Sequence, residues 1–204
     1  MSVKPILFNT EMVKAILDGR KSCTRRVVKI PSYIQKQENG SYTLFAEGSC
    51  YQNKCLEGVI DYIKRPYQLG DILYVRETWG FDKNMWLYKA DFTDEAIEKL
   101  QSIMRWNPSI HMPKEAARIR LKVTDVRVER LHDITTEQIL KEGLYIDKNF
   151  QAREDVKETG LHLHFMKLWD STVNKQDLDK YGWNANPFVW VIEFERCEKS
   201  KECE

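Results

Sequence analysis

The stretch Ile72-Leu-Tyr-Val-Arg-Glu-Thr-Trp79 restricts the fold most. It follows a Gly70-Asp71 turn, and its alternation predicts a strand. Leu73, Val75, Glu77 and Trp79 then share one face, and Ile72, Tyr74, Arg76 and Thr78 the other. Glu77 falls on the apolar face between Val75 and Trp79. A buried carboxylate must be paired or protonated, because leaving it charged and alone costs several kcal/mol. Two uses of Glu77 fit that position: a general acid or base, or an ion pair with Lys21 or Arg26 that locks the fold.

The rest of the chain supplies more short strands than framework helices. Residues 4–8 and 24–30 read as strands, and Pro31 stops the second. Residues 86–90 are expected to pair near the central strand. Ile119, Leu121 and Val123 alternate as a strand that continues, bent, through Val128. A last strand runs from Phe188 to Arg196, with Trp190, Ile192 and Phe194 on one face. Helices are expected over 11–18, capped by Asn9 or Thr10 and ended by Gly19, over 94–104, and over 161–173. A single helical turn is expected within Glu115–Arg118. Thr135-Thr-Glu-Gln138 spells a capping box, Ile134 and Ile139 form a staple, and that helix ends at Gly143. The pattern predicts an α+β protein: one domain over 1–204, a small mixed β-barrel decorated with helices. Polar insertions are expected at 32–66, with a hairpin near Tyr42–Phe45, and at 145–187.

Composition narrows the function. The 204 residues carry 32 Lys+Arg against 31 Asp+Glu, a net charge of +1. There is no global pull toward nucleic acid or anionic membrane, so any such contact must be local. No apolar run reaches the roughly 20 residues that span a bilayer, and the N-terminus has no signal-peptide layout; a cytoplasmic protein is expected. The five cysteines are odd in number and irregular in spacing, which argues against a disulfide framework. Cys50 and Cys55 lack a second ligand pair for zinc, and His162 and His164 point apart on a helix, so no metal site is expected.

The local patch is Gly19-Arg-Lys-Ser-Cys-Thr-Arg-Arg26, with Lys29 beyond it and no acid among them. Lys21 precedes Thr24 by three residues. Such a pair can hold an anion, or the amine can act as base for the hydroxyl if burial and neighbouring cations depress its pKa. Cys23 is a rival nucleophile, since a thiol beside cations tends toward thiolate. Backbone amides of the Gly19–Thr24 turn could hold an oxyanion. Among the six tryptophans, Trp79 and Trp106 are the ones expected near a pocket, able to stack on a base.

These residues resemble the ASCH domains of the PUA-like superfamily. Gly19-x-Lys21-x-x-Thr24-x-Arg26 is similar to their signature, with Thr24 where Glu is usual. Gly70-Asp71, Val75–Trp79 and the closing strand Val189–Phe194 look like further blocks. The segment Pro108-Ser-Ile-His-Met-Pro113 is similar to one in the longer ASCH proteins carried by bacteriophages and prophages. The resemblance implies a PUA-like barrel with a cleft for RNA or a modified nucleobase, bordered by Gly19, Arg25, Arg26, Trp79 and Trp106. It also implies a sharper reading, because a bacterial branch hydrolyses N4-acetylcytidine with a Lys, a Thr three residues later and a downstream Glu. Lys21, Thr24 and Glu77 match that pattern, and no metal or other cofactor is implied. Catalysis by these three requires that they converge on one open cavity. The alternatives are a non-catalytic RNA-binding module or a phage accessory protein that binds another protein through its insertions.

Overall fold

The computed structural model describes residues 2–29, 34–36, 42–46, 49–54, 63–145 and 153–197. Its framework is a five-stranded mixed sheet built from β1 (Val3–Leu7), β2 (Cys23–Val27), β6 (Ile72–Arg76), β9 (Arg120–Arg130) and β10 (Phe188–Cys197), in the order β1-β6-β9-β10-β2. Only the β1–β6 pair is parallel. Between β2 and β6 lie β3 (Ile34–Lys36), β4 (Tyr42–Ala46) and β5 (Ser49–Lys54), a separate three-stranded antiparallel sheet. The expected hairpin is thus a meander. Cys55 and the Asn39-Gly40 turn lie outside the described residues.

β10 shows why the sheet holds. Trp190, Ile192 and Phe194 enter one core with Ile6, Leu73, Val75, Leu121 and Val123, joined by Val13 and Ile16 of helix α1 (Thr10–Leu17). Val189 and Val191 enter a second core on the opposite face with Cys23, Leu131 and Ile139. That face is covered by α3 (Thr136–Lys141) and α4 (Glu154–Thr172), whose Leu161, Phe165 and Trp169 join the same core. Part of the segment expected as an insertion therefore supplies core. Helix α4 begins seven residues before the expected start at 161.

The mixed α+β architecture is as expected, but the sheet does not close into a barrel among the described residues. Its edges are β1 and β2, and a side chain spans the gap: Arg26 Nη2 donates to the Leu7 carbonyl at 3.1 Å. The central strand is also shorter than its alternation predicts. β6 ends at Arg76, and Trp79 opens a two-stranded hairpin, β7 (Trp79–Asp82) with β8 (Met85–Tyr88). The partners run out: β1 ends opposite Arg76, and the β9 ladder ends opposite Tyr74. The Glu77 amide turns instead to the Met112 sulfur at 3.2 Å.

Local signals were accurate. The Asn9 side chain caps α1 by accepting from the Met12 amide at 2.9 Å. Thr135 and Gln138 form the reciprocal capping box of α3. The helix expected at 94–104 is α2 (Asp94–Gln101), capped by Thr93; α5 (Leu178–Tyr181) completes the helices. The turn expected within Glu115–Arg118 is a 3-10 turn at Lys114–Ala116. The expected bend after Val123 is a bulge in β9: Glu193 and Phe194 of β10 pair with Asp125 and Val123, which leaves Thr124 as the extra residue. No helix among the described residues is long and apolar enough to cross a membrane.

Asp71 pins the start of β6 to the N-terminus. Its carboxylate accepts from the Ser2 amide (3.2 Å), Ser2 hydroxyl (2.7 Å), Lys4 amine (2.7 Å) and Gln68 amide (2.9 Å). Burial alone would raise its pKa, but these hydrogen bonds outweigh it and hold the group well below the usual carboxylate range. A carboxylate depressed in the folded state stabilises above its unfolded pKa and loses that contribution as pH falls. Asp71→Asn is expected to cost about 1–3 kcal/mol at pH 7. In urea melts that gap narrows below about pH 4.

Candidate functional site

Lys21 sits where α1 has ended and β2 has not begun. Gly19 allows the turn by adopting φ +73°. The amides of Gly19, Arg20, Lys21 and Ser22 then donate to the carbonyls of Ile16, Ala15, Ala15 and Lys141. These four amides are committed to backbone, which removes them as the expected oxyanion donors. Gly19 is a helix terminator and does not border the cleft described next.

A cavity of about 420 Å³ opens beside this turn, within the roughly 300–1,000 Å³ typical of ligand sites. One wall is the end of β1, the start of α1 and strand β2, bringing Phe8, Lys21, Thr24, Arg25, Arg26 and Lys29. The other is the C-terminal half of α4 and the chain after it, bringing Trp169, Asn174, Asp177 and Tyr181. Trp169 is held by its indole N–H, which donates to the Tyr181 carbonyl at 2.8 Å.

The buried carboxylate of this site is Glu142, which caps the C-terminus of α3. The Lys21 amine donates to Glu142 Oε2 at 2.7 Å and to the Glu142 carbonyl at 2.8 Å. Glu142 Oε1 accepts from Arg25 Nη1 at 3.1 Å, and Arg25 Nη2 reaches Gln138 (3.0 Å) and Glu129 (3.3 Å). The Lys21 and Glu142 side chains are 1% and 6% exposed. Burial pulls the Lys21 pKa down, and Glu142 only partly offsets it. Thr24, also buried, accepts from Arg26 Nη1 at 2.7 Å. No hydrogen bond joins Lys21 to Thr24 among the described residues.

Gly143 makes the Lys21–Glu142 pairing possible. Its φ is +96°, and a Cβ there would lie 2.8 Å from the Ala15 Cβ and 3.0 Å from the Lys21 Cβ. Gly143→Ala combines left-handed strain with overpacking and is expected to cost about 2–4 kcal/mol. Urea unfolding measures it.

The other expected site residues lie elsewhere. Glu77 is fully buried, but its oxygens are taken by Arg118 Nε (2.9 Å) and Nη2 (3.0 Å). Arg118 also binds both oxygens of Asp91 and lies 3.9 Å over the Tyr88 ring. Burial raises the Glu77 pKa, with Arg118 opposing. The carboxylate does not border the cleft, and its partner is neither Lys21 nor Arg26. β6 stops at Arg76, so Glu77 follows the strand instead of extending its face. Trp79 packs on Trp86 at 5.2 Å and Trp106 on Phe92 at 5.8 Å, both away from the cleft. Cys23 is buried in the second core, and burial pushes its pKa up to about 12, so it is a thiol rather than a nucleophilic thiolate.

Glu142 escaped the sequence reading, yet a signal was present. An acid in the last turn of a helix faces the negative end of the dipole, an unfavourable place unless cations meet it. Lys21 and Arg25 are those cations. No cluster of His, Cys, Asp and Glu suited to a metal ion occurs among the described residues.

Fold and site together define an α+β protein with a buried Lys–Glu–Arg network at the floor of a cationic, aromatic-walled cleft. No family model matches the chain, and no curated protein matches it. It is similar to a solved structure described as an ASCH domain from Lactobacillus crispatus JV V101, at 10% identity and a TM-score of 0.39, over 96% of this chain and 79% of that one. At that score the likeness bears no weight on function.

Proposed function

We propose that the cleft binds a nucleobase or nucleoside. One observation carries this: Lys21, Thr24, Arg26 and Trp169 border a single cavity of about 420 Å³ that combines hydrogen-bonding groups with an aromatic wall. Helix α4 bounds the opposite side, which favours a small ligand over a long strand, as does the net charge of +1. Trp169 is a built-in reporter. Cytidine and N4-acetylcytidine are expected to quench tryptophan fluorescence, with the response reduced in Trp169→Phe. Absence of quenching and of any ligand-induced rise in Tm with every nucleoside tried would remove this function.

A second reading, amide hydrolysis, is favoured by Lys21 and Thr24 bordering the same cleft, where burial lowers the Lys21 pKa. A neutral Lys21 amine takes the Thr24 proton, and Glu142 stabilises the ammonium that forms. Arg26, donating to Thr24, favours the alkoxide. Thr24 Oγ bonds to the acyl carbon; the C–N bond breaks, and the exocyclic amine leaves with the proton held by Lys21. Water then attacks the acyl-threonine, giving its proton to Lys21; carboxylate departs and the hydroxyl is restored. Glu142 replaces Glu77 as the carboxylate of the triad, acting on Lys21. Following N4-acetylcytidine by absorbance tests it: deacetylation is expected, and none with any acylated nucleoside leaves binding alone.

A further inference from the structure

Arg26 borders the cleft without a directly bound carboxylate among the described residues. Its three hydrogen bonds go to uncharged oxygens: Thr24 Oγ1 (2.7 Å), the Arg25 carbonyl (2.8 Å) and the Leu7 carbonyl (3.1 Å). No carboxylate lies within ion-pair distance of it among the described residues, whereas Lys21 has one and Arg25 two. Glu142 binds those two directly and reaches Arg26 only by longer-range attraction, and Asp177, which also borders the cleft, forms no ion pair with Arg26. The Phe8 ring, 5.4 Å away, offsets part of the charge. A guanidinium has five N–H donors, so donors on Arg26 remain for another group. Lys29, exposed on the same wall, adds a second cation without a carboxylate partner among the described residues. Arg26 is half-buried, and its partial removal from water disfavours the charge and lowers its pKa, with the more distant Glu142 opposing. A ligand anion would remove that penalty.

We infer that the ligand of this cleft carries an oxyanion, a phosphate or a carboxylate, that ion-pairs with Arg26 while Lys29 attracts it at the mouth. The inference rests on the proposed nucleoside cleft and narrows its ligand to a small nucleotide or another nucleoside-like anion. Lys21, Thr24 and Glu142 border the same cleft.

The experiment compares cytidine, cytidine 5′-monophosphate, inorganic phosphate and a short oligocytidylate by fluorescence titration and Tm shift, on wild type and on Arg26→Gln and Lys29→Gln. The monophosphate is expected to bind at least about tenfold tighter than cytidine, through a charge-assisted pair. That gain should vanish in Arg26→Gln and fall partially in Lys29→Gln. Because Arg26 also ties β1 to β2, the decisive quantity is the ligand-induced shift within each variant, not its starting Tm. Equal binding of cytidine and its monophosphate overturns the inference and leaves the nucleoside cleft standing. A gain that survives in Arg26→Gln also overturns it. If no nucleoside or nucleotide binds, but phosphate raises the Tm of wild type and not of Arg26→Gln, the anion site stands and the nucleoside cleft falls. Arg26-dependent binding of oligocytidylate without the monophosphate overturns the small-ligand form.

Discussion

Glu142→Ala is expected to destabilise the protein by about 3–5 kcal/mol, the cost of stranding a buried charge. The substitution leaves the Lys21 amine without its carboxylate and Arg25 without its closer one. Glu142→Gln keeps the backbone carbonyl and one acceptor oxygen, so a smaller loss is expected. The decisive measurement is a double-mutant cycle in urea. Lys21→Met removes a cation that Glu142 neutralises, so Lys21→Met/Glu142→Ala should cost less than the sum of the singles. A coupling of about 1–3 kcal/mol is expected for groups in one network. Additive effects would mean that the pair contributes no mutual stabilisation. Loss of the Glu142 carboxylate should also leave the Lys21 amine with the backbone carbonyl alone as its acceptor and weaken ligand binding.

Thr24→Ala is expected to lower the kcat of deacetylation by about 10⁴–10⁶-fold, the scale for removing a nucleophile. Affinity for N4-acetylcytidine should change little, because the remaining walls of the cleft are intact. Thr24→Ser restores a hydroxyl and should recover part of the rate. The pH profile adds an independent check. The amine acts as base only when neutral, so kcat/KM should rise with pH as Lys21 loses its proton, below the usual lysine range because burial lowers its pKa. The same shift acts on stability with the same sign. The unfolded chain holds this proton more tightly than the folded one, so the Lys21 contribution improves as pH rises toward the ordinary lysine value. A flat profile with Thr24→Ala fully active would eliminate the catalytic reading and leave the binding cleft.

What the sequence made legible follows the range of the signals. Caps and turns are local, and Asn9, Gly19, Thr135, Gln138 and Gly143 all do what their positions predict. The alternation of Trp190, Ile192 and Phe194 was equally readable, because β10 is central and paired along its whole length. The central strand misled at its end. Alternation continues through Glu77 and Trp79, but pairing partners stop at Arg76, and partners are a tertiary fact. Glu77 was expected to be buried and either protonated or paired with Lys21 or Arg26; it is buried, and its actual partner Arg118, 41 residues on, carries no local mark. Lys21, Thr24, Arg25 and Arg26 were legible as a group because they share one turn and strand. Glu142 lies 121 residues from Lys21, and no pattern of spacing reaches that far.

The gap between β1 and β2 gives position 26 a double burden. A side chain, not a ladder, spans it, and the same guanidinium faces the cleft. Ligand preference and sheet geometry therefore cannot drift apart in descendants of this chain. A lineage that changes the occupant by replacing Arg26 must first find another tie between the two edges. Innovation at this cleft should accordingly begin on the α4 wall, where Asn174 and Asp177 can vary without opening the sheet.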